Sequence, residues 1–437
     1  MKQSEMSFSS LQSTAGRTVR GMTLAAIVLL GNASMAVAAG PGQQMADAGD
    51  LLTRSTLTGD WDGLRPSLAE RGITVKPRVS LFYQGLTSGD GQHGFEFGGK
   101  ADLMLNSDLE KLGFGNGLSL TVHVEYNFGQ SVNQRGGTLI PVNTALQFPG
   151  IQGADSFDMS AFFFDQKFGD DVSLKLGKIN LIDLYASKPF QGGAGMDSFW
   201  NLTFAAPPSG TVPAYLLAAM LSVRTEPATY GLWIYDPTSV VNKSVFDKPF
   251  ADGVTIRGSV EFPVTIAGLA GHQGFVATYS TKNGTDWGTL DDVPIGSASP
   301  VGIKNDRYYF GYTFNQYLYQ SNENPKEGVG LFGQLGISDG NPNPLYWSGF
   351  VGVGGTGLIP GRSRDNWGFG YYYDAFSGEL KDSLATVRKM RNEQGWETFY
   401  NFAVTPWLVL GADVQVITPA FADRTAVFGG LRTVIRF

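Results

Sequence analysis

The feature that most constrains the fold is a period-two alternation of apolar and polar residues. From residue 72 onward it recurs in segments of roughly ten to thirteen residues, the length that a tilted strand needs to cross a membrane. The clearest segment runs from Leu118 to Phe128. Its apolar side chains would share one face of a strand and its polar side chains the other: Leu118, Leu120, Val122, Val124, Tyr126 and Phe128 against Ser119, Thr121, His123, Glu125 and Asn127. One such strand fits a soluble sandwich as well as a membrane barrel.

The number of segments and the lengths of their connections favour the barrel. About sixteen segments occur, an even number like that of bacterial single-chain barrels. Short turns are expected at residues 110–117, 169–171, 226–228 and near Pro406, and long loops at residues 129–154, 182–214, 281–302 and 377–393. Outer-membrane barrels place short turns at the periplasmic end and long loops outside. We therefore predict an all-β fold, a transmembrane antiparallel β-barrel of about 16 strands over residues 72–437.

The amino terminus indicates export. Arg17 and Arg20 precede a short apolar run, Met22 to Leu30, and Ala36-Val37-Ala38 supplies a small-x-small cleavage pattern. The run is too short to cross about 30 Å of hydrocarbon. We predict a cleaved signal peptide over residues 1–38 and a location in the outer membrane of a Gram-negative cell.

In a membrane barrel the polar face of each strand points into the lumen. The alternation therefore gives a set of lumen-facing candidates for the solute pathway. They are Lys76, Arg78, Glu96, Lys100, Asp102, His123, Glu125, Lys175, Arg307, Glu397, Asp413, Arg432 and Arg436. Both signs of charge occur, so such a wall would orient dipolar, hydroxyl-rich solutes. For any one residue the alternative is a solvated side chain or a structural ion pair of the wall.

Two long loops could fold inward and narrow the pore. Arg135 lies in the loop at 129–154, and Tyr185, Phe199 and Trp200 lie in the loop at 182–214. We predict these four side chains as constriction candidates. The alternative is that the aromatic residues pack loop against loop.

The segment from Leu57 to Ile73, LTGDWDGLRPSLAERGI, resembles the region ahead of the first strand in carbohydrate-selective porins of the OprB type. The pattern is a Gly-Asp-Trp-x-Gly-x-Arg turn and a short helix carrying Leu-Ala-x-x-Gly. Pro66 suits the first turn of that helix and Gly72 its end. The sequence LGKIN at Leu176 to Asn180 resembles a strand segment of the same family, and the likeness runs from about Leu57 to Phe437.

The resemblance implies passive, carbohydrate-selective diffusion of glucose-like sugars and other small polar solutes through a charged, aromatic-lined pore. It also places residues 39–71 as a periplasmic segment with a short helix. The prolines of the loop at 182–214 depart from the family pattern, so the resemblance does not specify which solute is the substrate. A general, non-selective porin is the alternative.

The last strand, ending in Phe437, resembles the signal read by the barrel-assembly machinery. The expected partners are therefore that machinery, outer-membrane lipid and permeating sugars, with a homotrimer as a further hypothesis.

Composition excludes several other classes. Cysteine is absent, which rules out thiolate metal sites and disulfides, and no nucleophile elbow, zinc-binding helix or phosphate loop occurs. We expect no cofactor and no metal, and a channel rather than an enzyme, with an outer-membrane barrel enzyme as the competing hypothesis. A net charge of -7 argues against nucleic acid as a partner. Residues 40–70 are too few for the plug of an active transporter, and a soluble sugar-binding sandwich is the remaining alternative.

Overall fold

A computed structural model describes residues 49–150, 155–238, 244–290, 301–321, 327–357 and 359–437. The predicted signal peptide, residues 1–38, lies outside the described residues. None of the helices within these ranges is long and apolar enough to cross a membrane.

Sixteen strands close into one antiparallel barrel, which confirms the predicted all-β fold and its strand number. The barrel strands are β1 (Ile73–Ser88), β2 (Gly94–Asp108), β3 (Leu118–Gly129), β4 (Asp155–Phe168), β5 (Val172–Asn180), β6 (Tyr215–Arg224), β7 (Thr229–Tyr235), β8 (Thr255–Ile266), β9 (Leu269–Ser280), β12 (Arg307–Gln320), β13 (Gly328–Ser338), β14 (Leu345–Thr356), β15 (Asn366–Phe376), β16 (Glu393–Ala403), β17 (Leu408–Thr418) and β18 (Ala426–Arg436).

The remaining elements lie outside the barrel ladder. Strands β10 (Gly284–Thr285) and β11 (Ile303–Lys304) form a separate hairpin between β9 and β12. The helices are α1 (Leu64–Glu70), α2 (Thr144–Gln147), α3 (Leu181–Tyr185), α4 (Leu202–Ala205) and α5 (Gly378–Leu384), with single 3-10 turns at Arg135–Gly137 and Trp287–Thr289.

Strand β1 closes the barrel because it pairs on both sides. Ser80 lies opposite Lys100 of β2 and opposite Val434 of β18. Each barrel strand from β2 to β17 pairs with the barrel strands that precede and follow it along the chain. The sheet therefore has no free edge, as a strand-built membrane protein requires.

The longest connections between barrel strands all lie at one end of the barrel. Three of the shortest join β4 to β5, β6 to β7 and β8 to β9 at one end, here called the turn end. The long connections, including those after β3, β5, β9 and β15, lie at the other end, here called the loop end. The turns and loops expected from the sequence fall in these positions.

Helix α1 lies at the turn end beside the last strand. It begins after Gly63 (φ 83°) and ends before Gly72 (φ 88°), two positions whose left-handed backbone favours glycine. Arg65 of this helix donates from Nη2 to the carbonyl oxygen of Phe437 at 2.8 Å, and its guanidinium lies 4.2 Å from the Trp61 ring centroid. Helix α1 is thus the short helix expected ahead of the first strand, while the periplasmic placement of residues 39–71 stays a prediction.

Neighbouring residues of β18 show the two faces of the wall. Leu431 is 61% exposed on the outside, whereas the adjacent Arg432 is 1% exposed on the inside. The outer face carries apolar side chains on strand after strand, among them Phe97, Phe275, Phe310, Leu335, Val351 and Phe402. This is the polarity of a barrel that meets hydrocarbon rather than water.

We expect Leu431→Arg to destabilise the folded barrel in lipid by about 2–4 kcal/mol if the residue lies near the bilayer midplane. The charge would have to leave water for hydrocarbon. Urea unfolding in phospholipid vesicles measures the loss, with Leu431→Met as the control that keeps size and polarity. Equal stability of the two variants would show that this face does not contact lipid.

Candidate functional site

Two long connections at the loop end fold into the barrel. They are L2, residues 130–150, and L3, residues 181–214. Phe199 of L3 is fully buried, and its ring lies 5.5 Å from that of Phe332 on β13 and 4.8 Å from that of Phe399 on β16. L3 therefore packs against the inner wall of the barrel.

Polar groups of the wall also bind the backbone of L3. Glu397 of β16 accepts hydrogen bonds from the N–H groups of Trp200–Asn201, at 2.5 and 3.1 Å. Arg432 of β18 donates to the carbonyl oxygens of Gly195 and Ser198, at 2.9 Å each. These wall charges satisfy backbone groups of the loop that would otherwise be buried without partners.

Near the turn end, a carboxylate of L3 joins two strands. Asp197 lies 3.1 Å from the guanidinium of Arg78 and 2.5 Å from that of Arg436. Arg78 also pairs with Asp102 on β2 at 3.0 Å. The ion pairs fix the deepest part of L3 to β1 and β18.

A second set of buried charges fixes the start of L3. The Nδ1 atom of His123 on β3 lies 2.7 Å from a carboxylate oxygen of Asp183 in α3. Lys100 of β2 forms an ion pair with Glu125 of β3 beneath it. His123, Lys100 and Glu125 are each at most 2% exposed, and Lys100 donates to the carbonyl oxygen of Phe148 at 2.8 Å, so L2 and L3 together cover this part of the wall.

The structure places the thirteen predicted pathway residues on the inner side of the wall. They differ in how deeply the inward-folded loops bury them. Seven lie beneath the inward-folded loops with 6% exposure or less: Lys100, Asp102, His123, Glu125, Glu397, Asp413 and Arg432. Lys76 is exposed and Arg78, Glu96, Lys175, Arg307 and Arg436 are half-buried. The alternation predicts which face of the wall a side chain occupies, whereas the burial of that side chain depends on L2 and L3. Contact of any of the thirteen with a solute stays a prediction.

The four predicted constriction residues also occupy different environments. Phe199 and Trp200 are fully buried in the packing of L3 against the wall. Arg135 pairs with Glu96 near the loop end. Of the four, Tyr185 alone borders the cavity described next.

A cavity of about 340 Å³, here called the passage, lies between L3 and strands β5 to β12. Tyr185 and Lys188 border it from L3, and Trp233, Arg257 and Glu261 border it from the wall. Lys188 Nζ lies 3.0 Å from Glu261 Oε2, and the Arg257 guanidinium lies 4.6 Å from the Trp233 ring centroid. The passage thus combines aromatic faces with charged hydrogen-bonding groups.

Strand register brings the wall residues of the passage together. Lys175 of β5 lies opposite Met220 of β6, which lies opposite Trp233 of β7; Trp233 lies opposite Arg257 of β8, and Arg257 opposite Thr278 of β9. All five residues occupy one row across the inner wall. Lys188, Trp233, Arg257 and Glu261 were not among the residues predicted from the sequence.

A second cavity of about 390 Å³ lies towards the turn end, between L3 and strands β12 to β15. Asp197 and Trp367 border it, and Phe190 of L3 packs edge-on against Tyr317 at 4.8 Å. Lys188 borders both cavities. Lys188 of the Lys188–Glu261 ion pair therefore lies between the two cavities. In the described ranges, no group of three or more His, Asp or Glu side chains is placed to hold a metal ion.

A closed sixteen-stranded barrel with an apolar outer face and loops folded into its lumen is the architecture of an outer-membrane porin. The family model of the carbohydrate-selective porins, the OprB family, matches residues 92–437. The chain belongs to that family, and its family and fold are those of an outer-membrane channel.

Solved structures agree on the fold. The high-pH structure of Pseudomonas putida OprB superposes with a TM-score of 0.77 at 18% identity, covering 89% of this chain and 100% of that one. The low-pH structure of the same protein gives a TM-score of 0.54 at 16% identity, with 88% and 99% coverage. The outer membrane channel DcaP of Acinetobacter baumannii gives 0.51 at 10% identity, with 84% and 97% coverage. A comparison with curated proteins finds no match.

Proposed function

We propose that the protein lets glucose-like sugars and other small polar solutes diffuse passively and selectively across the outer membrane. The observation that carries this proposal is the passage beside L3, where Tyr185 and Trp233 offer aromatic faces and Lys188, Arg257 and Glu261 offer hydrogen-bonding groups. A pyranose has apolar ring faces and a rim of hydroxyl groups, so both kinds of surface suit it.

Weak binding is what such a passage needs. A site that held the solute tightly would slow its exit, so flux is greatest when contacts are shallow and successive. Lys188 and Glu261 already neutralise each other at 3.0 Å, and a hydroxyl group that replaces one of their contacts gains little free energy. Stacking on the part of the Trp233 ring that Arg257 leaves uncovered is then the contact that distinguishes a ring from an open chain.

Solute entry into liposomes containing the purified protein tests the proposal. Glucose should enter faster than mannitol, which has similar mass and hydroxyl content but no ring face, and faster than a trisaccharide. Equal entry of glucose and mannitol would support the general porin instead. Absence of entry by every solute would refute a channel.

We expect Trp233→Ala to abolish the preference for glucose over mannitol while total flux is kept or increased. The change removes the stacking surface and widens the passage. Trp347→Ala is the matched control, because Trp347 lies on the outer face at 37% exposure. A preference for glucose that survives in Trp233→Ala would show that other residues recognise the apolar face of the sugar ring.

Export and assembly complete the proposal. We expect the mature protein to begin near Ala39, to be inserted by the barrel-assembly machinery and to form a trimer. Amino-terminal sequencing of protein from outer membranes would reveal a retained leader. The mass of the detergent-solubilised particle would distinguish a monomer from a trimer.

A further inference from the structure

Arg257 is the unmatched cation of the passage. The other two cations that border this space have carboxylate partners: Lys175 pairs with Asp165, and Lys188 pairs with Glu261. Within the described part of the chain, no ion pair within 4.0 Å involves Arg257, and its buried Nε atom has no hydrogen-bond partner. Three cations thus meet two carboxylates, and the passage carries one uncompensated positive charge.

The position of Arg257 makes that charge available to a solute. Its guanidinium lies over the Trp233 ring, with the two side chains directly opposite each other on β7 and β8. An arginine stacked on an aromatic face keeps the outer edge of its planar fork free for two parallel hydrogen bonds to a carboxylate. Because the ring covers one face of the guanidinium, water solvates it less well than an open side chain.

The polar residues that follow Arg257 on the same face of β8 suit the rest of such a solute. Ser259 lies two residues from Arg257, roughly 7 Å along the strand, and Glu261 lies in the layer after it, roughly 13 Å away. Tyr185 and the Lys188–Glu261 pair border the space towards that layer. A carboxylate held at Arg257 would thus extend its hydroxylated chain or ring towards aromatic and hydrogen-bonding groups.

We propose that the passage prefers hydroxylated monocarboxylates, the sugar acids, over neutral sugars of the same size. The inference rests on the proposed function, since it names the substrate class of the same passage. One fixed positive charge attracts a single negative charge and repels cations, while the paired charges contribute little net field.

Two measurements on the full-length protein test the inference. In planar bilayers under a KCl gradient, the reversal potential should show preference for chloride over potassium. In liposomes at neutral pH, glucuronate should enter faster than glucose. Arg257→Gln should lower the glucuronate-to-glucose rate ratio by about fivefold, the effect of one unit charge at contact distance in a water-filled passage. Arg257→Lys should retain most of the ratio because it keeps the charge.

Lys389→Gln is the matched control, since Lys389 is exposed in the connection after β15 and its replacement removes one positive charge away from the passage. Potassium preference, glucuronate entry no faster than that of glucose, or an equal loss in the Lys389 and Arg257 variants would each overturn the inference. Glucose entry distinguishes the two proposals. If glucose fails to enter while glucuronate does, the sugar acid preference stands and the proposed neutral-sugar channel fails.

Discussion

Replacing Arg432 with alanine is expected to loosen L3 and raise the single-channel conductance several-fold. The guanidinium is 1% exposed and donates to the carbonyl oxygens of Gly195 and Ser198 at 2.9 Å and to Asn401 Oδ1 at 2.8 Å. It also lies 5.1 Å from the Trp200 ring. Removing one member of a buried charged network costs roughly 3–5 kcal/mol, because the groups left behind stay buried without partners.

The loss of stability in Arg432→Ala should affect the position of L3 rather than the folding of the barrel. The bonds of Arg432 to Gly195 and Ser198 join the wall to a loop, whereas the ladders between strands are untouched. Conductance in planar bilayers and the heat-dependent mobility of the folded barrel on gels measure the two effects separately. Arg388→Ala is the control, since Arg388 is exposed at the loop end. Unchanged conductance in a folded Arg432→Ala barrel would show that L3 keeps its place without this contact.

The outward and inward faces of the wall could be predicted because they follow from local chain geometry. Side chains alternate along every strand, so Leu431 and Arg432 must face opposite ways wherever β18 lies in the sheet. The same reasoning placed His123 and Glu397 inside the barrel. It depends on neighbouring residues only and needs no knowledge of distant contacts.

The burial of lumen-facing side chains beneath the loops could not be predicted in this way. Glu397 is fully buried because residues 200 and 201, far away in the sequence, fold back onto it. Period-two alternation describes strands, and L3 is a long loop with short helices whose path depends on aromatic packing against four other strands. A lumen-facing charge therefore has the same sequence signature whether it lines open space or anchors a loop.

The passage residues were missed for a different reason. Thr255, Arg257, Ser259 and Glu261 alternate with apolar residues on β8 as clearly as the residues that were singled out, so the signal was present. Trp233 lies on a strand of only seven residues, where an aromatic side chain resembles one that faces lipid. Their juxtaposition depends on the register of β7 against β8, which a single sequence does not specify.

The second large effect is expected from Phe204→Ala, which removes an apolar anchor of L3. Phe204 is fully buried, and its ring lies 4.6 Å from Phe199, 5.6 Å from Phe350 of β14 and 6.0 Å from Tyr372 of β15. Truncating a buried phenylalanine to alanine costs about 3–5 kcal/mol. We expect higher conductance and entry of a trisaccharide that the native channel excludes.

Phe369→Ala is the matched control, since Phe369 lies on the outer face of β15 at 46% exposure and has no contact with L3 to lose. A barrel that melts earlier with unchanged conductance would show that Phe204 stabilises the wall and not the loop. Combining Phe204→Ala with Arg432→Ala further distinguishes a role of Phe204 in the wall from a role in holding L3. If both residues act by holding L3, the double variant should gain less conductance than the two single gains together, because a loop that has already left the lumen cannot leave it again.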